Sequence, residues 1–222
     1  MIWILMILVM VLSMVIQGRL KGRFEKYSAV PTNLSGAEVA QRMLQAHGIH
    51  DVNIVSIEGT LTDHYNPQTK TVNLSHDVYY GRSVAAAAVA AHECGHVVQH
   101  ATGYAPLKLR SALVPVVSFA NSWVSWVLLA GVVLINVFPS LIWIGVFLFA
   151  LTTLFSFITL PVEINASQRA VQWLDNAGVV GYETKPMASD ALKWAAYTYV
   201  IAAIGSLATL LYYISIASNR RS

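Results

Sequence analysis

Five consecutive residues, His92-Glu93-Cys94-Gly95-His96, carry the clearest chemistry in the chain. On a helix, positions four apart share one face about a turn apart, so His92 and His96 would stand side by side. Two imidazoles so placed can reach one metal ion, at about 2.1 Å each for zinc. Glu93 follows the first histidine, and its carboxylate can reach a metal-bound water. This is the H-E-x-x-H arrangement, in which the metal lowers the pKa of the water and the glutamate takes its proton. The plain alternative is a pair of surface histidines on an amphipathic helix.

A third ligand must come from elsewhere. His100 continues the four-residue series, but at 1.5 Å per residue it lies about 12 Å along the axis from His92, too far to share an ion. It also misses the longer spacing of the third metzincin histidine. Between Glu93 and Asp175 the one carboxylate is Glu163, preceded by Pro161-Val162. A carboxylate at a membrane boundary is costly unless paired or bound to metal. On a second helix facing the first, Glu163 would complete a His₂Glu site with an open position for water. An interfacial Glu163 with His64 or His76 as the ligand stays open as the alternative. Metal-bound histidines usually donate their other N–H to a neighbouring acceptor, and Asn165 or Ser167 could serve. Arg169 is either a substrate-binding cation or an ordinary surface arginine. Cys94 falls on a different face from both histidines, which reads as a buried core thiol.

The elements that must position these residues belong to an apolar chain. Of its 222 residues 56% are hydrophobic and 11% charged, with a mean hydropathy of +0.56; ordinary globular chains carry about 25% charged residues. Disorder is excluded, since it needs low hydrophobicity and high charge. The single cysteine excludes a disulfide scaffold. A net charge of +3, scattered along the chain, gives no basis for nucleic-acid binding.

Four apolar stretches, 1–16, 113–135, 141–160 and 197–216, contain no Asp, Glu, Lys or Arg. A bilayer core of about 30 Å needs roughly 20 such residues in a helix. The first stretch is short, and local thinning of the bilayer can accommodate it. Its basic residues follow the apolar run and no A-x-A-like site ends it, which predicts an uncleaved anchor. Asn136 to Ser140, with Pro139, predicts a tight turn between spans two and three. Of the 14 Lys and Arg, nine lie in 17–111, three in 161–196 and two, Arg220 and Arg221, in the tail. The positive-inside rule then puts both polar regions in the cytoplasm, and the tail arginines run against that bias.

In the first polar region, Ser35-Gly36-Ala37-Glu38 predicts a capping box opening a helix that Gly48 ends. Val52–Ile57 reads as a strand. Leu61–Tyr65 and Thr71–Leu74 flank Asn66-Pro67-Gln68-Thr69, a hairpin turn. Ser83 predicts the cap of an Ala-rich helix, Val84–Ala101, closed by Gly103. The strand just before that helix, Thr71–Ser75, would be the sheet edge on which extended substrate pairs, or an ordinary hairpin strand.

These pieces together resemble the bacterial membrane zinc metallopeptidases of the YugP family. The resemblance rests on the H-E-C-G-H helix, the segment Pro161-Val162-Glu163-Ile164-Asn165-Ala166-Ser167, the N-P-Q-T-K-T-V-N-L-S hairpin and the four-span layout, and covers nearly the whole chain. It implies a gluzincin-type protease with His92 and His96 as ligands, Glu93 as catalytic base and Glu163 as third ligand. The layout is also similar to the HtpX membrane proteases, whose glutamate segment reads E-x-x-A-D. Ser167 stands where that pattern has Asp, so the carboxylate that orients a histidine does not carry over.

The expectation is therefore a mainly α membrane protein of about four transmembrane helices with a zincin-like α+β cytoplasmic catalytic region. Its predicted layout is an anchor at 1–16, a catalytic region at 17–111 bearing the H-E-x-x-H helix, a transmembrane hairpin at 112–160, a second catalytic segment at 161–196 and a last span with tail at 197–222. The function expected is a metalloendopeptidase of the cell membrane with one zinc per chain. Its partners would be peptide or protein substrates, membrane proteins included, and the lipid bilayer. A catalytically inactive zinc-binding scaffold or chaperone-like protein is the rival. Retention of Glu93, which zinc binding alone does not need, favours the enzyme. Metal transport is disfavoured, because no ligand lies at mid-bilayer.

Overall fold

The computed structural model describes residues 2–218; the tail arginines Arg220 and Arg221 lie outside the described residues. The chain is mainly helical, and by packing it divides into two units. One comprises Met1–Val15, Lys108–Leu160 and Thr198–Ser222, and the other Ile16–Leu107 and Pro161–Tyr197.

Four long helices supply the apolar unit: α1 (Ile2–Ser28), α5 (Ala105–Val133), α6 (Ser140–Asn176) and α7 (Lys185–Ser218). Each is long and apolar enough to cross a membrane. All four outrun the apolar stretches because the helix does not stop where the polar residues begin. The clearest case is α6, which passes through Pro161 and continues to Asn176. Phe138 and Pro139 lie in the predicted turn that joins α5 to α6. There Gly131 lets the two helices touch, since a Cβ on it would come within 2.7 Å of Ile142 Cα. Within the same unit the Thr153 and Ser206 hydroxyls, 2.7 Å apart, pair with each other.

The second unit is built around α4 (Val84–Ala101), capped by Ser83, whose Oγ accepts from Ala86 N. Its alanines at 85, 86, 87, 88, 90 and 91 are all buried. Such thin side chains let neighbouring elements approach from every side. One neighbour is α2 (Gly36–Ala46), which opens on the predicted capping box: Ser35 Oγ accepts from Glu38 N, and Glu38 returns a bond to Ser35 N. Gly48 ends it with a φ of +68°. Further along, Tyr27 on α1 donates to Asp190 on α7 at 2.7 Å, and Arg23 pairs with the same carboxylate.

The sheet has three strands, β1 (Asn53–Ile57), β2 (His64–Asn66) and β3 (Thr71–Ser75), in the order β1-β3-β2. The predicted hairpin is present: β2 and β3 pair antiparallel, and Asn66 Oδ1 accepts from Gln68 N and Thr69 N in the turn. β2 is shorter than predicted, because Leu61 turns the chain with a φ of 58° and Asp63 caps Ser75 N instead of pairing. β1 pairs parallel to the other side of β3. Thr71–Ser75 is therefore the central strand and not an edge. β1 pairs along its whole length and β2 along Thr71–Asn73, so of the two readings the strand order supports the ordinary hairpin strand and not the substrate edge. The sheet's free edges belong to β1 and β2. A short helix, α3 (His76–Tyr79), links the sheet to α4.

Candidate metal centre

α4 carries His92, Glu93 and His96, and α6 carries Glu163. The two helices meet at Gly95, where a Cβ would lie 2.7 Å from Ala166 O and 3.1 Å from Ala166 Cα. Absence of that Cβ lets the α6 backbone close on α4. Ala166 lies three residues after Glu163, on the same helical face.

The result is a convergence of three donors. Glu163 Oε2 lies 3.3 Å from His92 Nε2 and 3.5 Å from His96 Nε2. The ligand atoms of all three residues lie within 4.8 Å of one another. Four ligands at 2.0–2.1 Å around tetrahedral zinc are separated by about 3.3–3.4 Å. The two observed Glu163 separations lie at or close to that edge, and two imidazoles with a carboxylate are donors that zinc takes, so the residues fit the ion. The rings of His92 and His96 stand nearly perpendicular, at 83°. The site is shielded: the Glu163 side chain is 3% exposed and the histidines 14% and 11%.

Burial works against a charge on Glu163, but the imidazoles of His92 and His96 outweigh it and hold the carboxyl well below the ordinary range. Burial likewise disfavours charge on His96, yet hydrogen bonding to Glu163 with the nearby carboxylates holds its pKa above the usual value.

The three residues expected as ligands lie in one group. His64 and His76 do not join it: His64 Nδ1 lies 2.8 Å from Thr62 O, and His76 faces Asp77. His100 instead meets Tyr65 Oη of β2 at 2.9 Å. Glu93 is buried on α4 at 8% exposure and is not one of the converging donors. Cys94 is a core thiol, fully buried with Sγ toward Ala40 O, and burial pushes its pKa up, away from reactivity.

The groups behind the histidines were only partly foreseen. Ser167 Oγ lies 3.1 Å from His92 Nδ1. His96 Nδ1 meets Gln99 Oε1 at 3.1 Å, a residue that sequence reasoning missed. Gln99 Nε2 in turn donates to Val162 O at 2.8 Å and to Asn165 Oδ1 at 3.0 Å. Arg169 Nε donates to Asn165 Oδ1 at 2.8 Å, which gives that arginine a structural partner. A glutamine three residues after a histidine carries no motif, but its helical spacing onto the same face was available as a signal.

Comparisons with known proteins agree in kind. The family described as "Putative neutral zinc metallopeptidase" matches residues 2–218. The chain is 43% identical over 212 residues to the "Putative membrane protease YugP" of Bacillus subtilis (strain 168), covering 95% of this chain and 93% of that protein. No solved structure matches it.

Proposed function

The chain belongs to the family so described, and on that footing we propose that it is a multi-pass membrane zinc metalloendopeptidase. The observation that carries this reading is the convergence of His92 Nε2 and His96 Nε2 on Glu163 Oε2, each at close to a zinc-edge separation from it, beside a glutamate that is not among them.

His92, His96 and Glu163 would hold one zinc per chain. When bound, zinc supplies a Lewis acid that makes water acidic near neutral pH and polarises a peptide carbonyl. Glu93 stands next to the first ligand in the sequence and acts as the base. It takes the proton of the attacking water and returns it to the leaving amine as the peptide bond breaks. The apolar packing that buries Glu163 keeps bulk water from competing for the ligands. Two neutral imidazoles and one carboxylate leave a bound dication with net positive charge, which favours developing negative charge on the substrate oxygen.

In this reading 17–111 and 161–196 jointly form the zincin-like catalytic region, and 1–16, 112–160 and 197–222 supply membrane helices. The catalytic region faces the cytoplasm, where twelve of the fourteen Lys and Arg then lie. Glu163 follows the third apolar stretch by three residues, which favours substrates tethered to the membrane or lying along its surface.

The test is metal analysis of the purified protein with peptide-cleavage assays on wild type and Glu93→Gln. The variant should keep zinc and lose about 10²–10⁴-fold in rate. Near-normal cleavage by Glu93→Gln would reject the mechanism. A zinc-loaded wild type inert on every peptide would favour the scaffold.

A further inference from the structure

The bonds around Gln99 leave no freedom in how they are read. Val162 O can only accept, so the Gln99 atom 2.8 Å from it is the amide nitrogen. Asn165 gives the same orientation independently. Arg169 Nε can only donate, so the Asn165 atom it meets is the carbonyl oxygen, and that oxygen accepts from Gln99 Nε2. Both hydrogens of the Gln99 amide are thereby used. The atom left to face His96 Nδ1 is Oε1, which only accepts. His96 must therefore carry a proton on Nδ1, and in its neutral form Nε2 bears a lone pair. That lone pair faces Glu163 Oε2 at 3.5 Å. Two acceptors so placed are held together by a cation between them, either a proton or a metal ion. His92 is held differently, since the Ser167 hydroxyl can rotate and either donate or accept.

We propose that Gln99 is a positioning residue that fixes the tautomer and ring orientation of His96 for metal binding, and that Asn165 and Arg169 lock Gln99 in that role. The proposal rests on the zinc-site reading above. Gln99 is fully buried, so water does not compete for its amide. It supplies with a neutral amide what a carboxylate commonly supplies to a metal-bound histidine. The charge that fixes its direction stands two hydrogen bonds away, on the half-buried Arg169.

The test uses the full-length protein in detergent micelles, with ¹⁵N-labelled histidine, metal removed, at alkaline pH where imidazole is neutral. His96 signals are assigned by their loss in His96→Gln. Wild-type His96 should show the Nδ1–H form. Gln99→Met keeps similar volume and leaves Val162 O in its helix and Asn165 on Arg169. It should lose that signature and weaken zinc binding by about 10–100-fold. Gln99→Glu offers an acceptor oxygen in either protonation state, so it should keep the signature and bind zinc more tightly than Gln99→Met. Arg169→Met frees the Asn165 amide to turn and leaves Val162 O as the one anchor of Gln99, so a minor population without the Nδ1 proton should appear beside the main Nδ1–H form.

An Nδ1–H signature that survives in Gln99→Met would overturn the role of Gln99. So would a loss of zinc affinity with no change of tautomer, because packing alone would then explain it. An unchanged signature in Arg169→Met would overturn the part given to Asn165 and Arg169. A wild type that binds no zinc would overturn the zinc reading instead, and the tautomer comparison in metal-free protein would still decide the role of Gln99.

Discussion

Gly95→Ala is the smallest change that should damage the site without touching a ligand. The added Cβ would lie 2.7 Å from Ala166 O, 3.1 Å from Ala166 Cα and 3.2 Å from Ala166 C. All three are backbone atoms, so no rotamer change relieves the overlap, and shortening residue 166 does not help. Ordinary contact begins near 3.4 Å, so α6 must retreat from α4 by about 0.7 Å. Glu163 rides on that segment, while the metal tolerates ligand displacements of only about 0.2 Å. Overpacking of this kind costs about 1–3 kcal/mol. At 1.4 kcal/mol per tenfold, zinc affinity should fall roughly ten- to a hundredfold. Global stability should change less, because alanine gains about 0.5–1 kcal/mol over glycine inside a helix. The assay pairs a competitive zinc titration against a chromophoric chelator with thermal unfolding of the metal-free protein. A variant with wild-type zinc affinity would refute the claim that helix approach at Gly95 sets the ligand geometry.

Glu163→Ala should lose zinc affinity by more than the 10–100-fold that losses behind the ligands cause, read by the same titration; full occupancy would reject Glu163 as a ligand. In metal-free protein, the lowered Glu163 value contributes stability above about pH 4.3 that is lost as pH falls through the folded value. The raised His96 value contributes stability below about pH 6.5 that is lost as pH rises through the folded value. Tm measured against pH in chelator should therefore show extra stability between those limits, and Glu163→Gln should remove it; an unchanged profile in that variant would contradict the coupling. For sidedness, single cysteines at Thr60 and Gly181 in a Cys94→Ala background should resist a membrane-impermeant reagent in intact cells, while one at Ser140 reacts. Labelling of Thr60 and Gly181 from outside would invert the topology.

What could be read from the sequence follows the range of the interactions. The i, i+4 spacing of His92 and His96 is local geometry, so a linear pattern suffices to place them on one face. Glu163 was legible for a different reason: a carboxylate flanked by apolar chain is expensive, and the stretch between Glu93 and Asp175 holds one. The hairpin was visible because Asn66 and Pro67 write the turn into adjacent residues. The partner of β1 was not, because parallel pairing to β3 is settled by packing beyond the connection through β2. That is how a strand expected at the edge came to lie in the centre. Likewise the end of the apolar stretch at 160 suggested a boundary, yet α6 runs on through Pro161 to Asn176.

The composition of α4 is the point at which fold and site constrain each other. A helix that must be packed on nearly all sides and still bring polar ligands to a neighbour cannot carry bulk everywhere. Its first half is almost all alanine, buried between α2 and the remaining core of its unit. Its second half turns His92, His96 and Gln99 toward α6, with glycine at the closest approach. Each of these polar groups finds its partner there: His92 on Ser167 and Glu163, His96 on Gln99 and Glu163, and Gln99 on Val162 O and Asn165. Burying them is tolerable because α6 returns a matching donor or acceptor to each. A change to α6 that spares Glu163 but breaks one of these matches should thus be felt in metal affinity at the proposed site before it is felt in the fold.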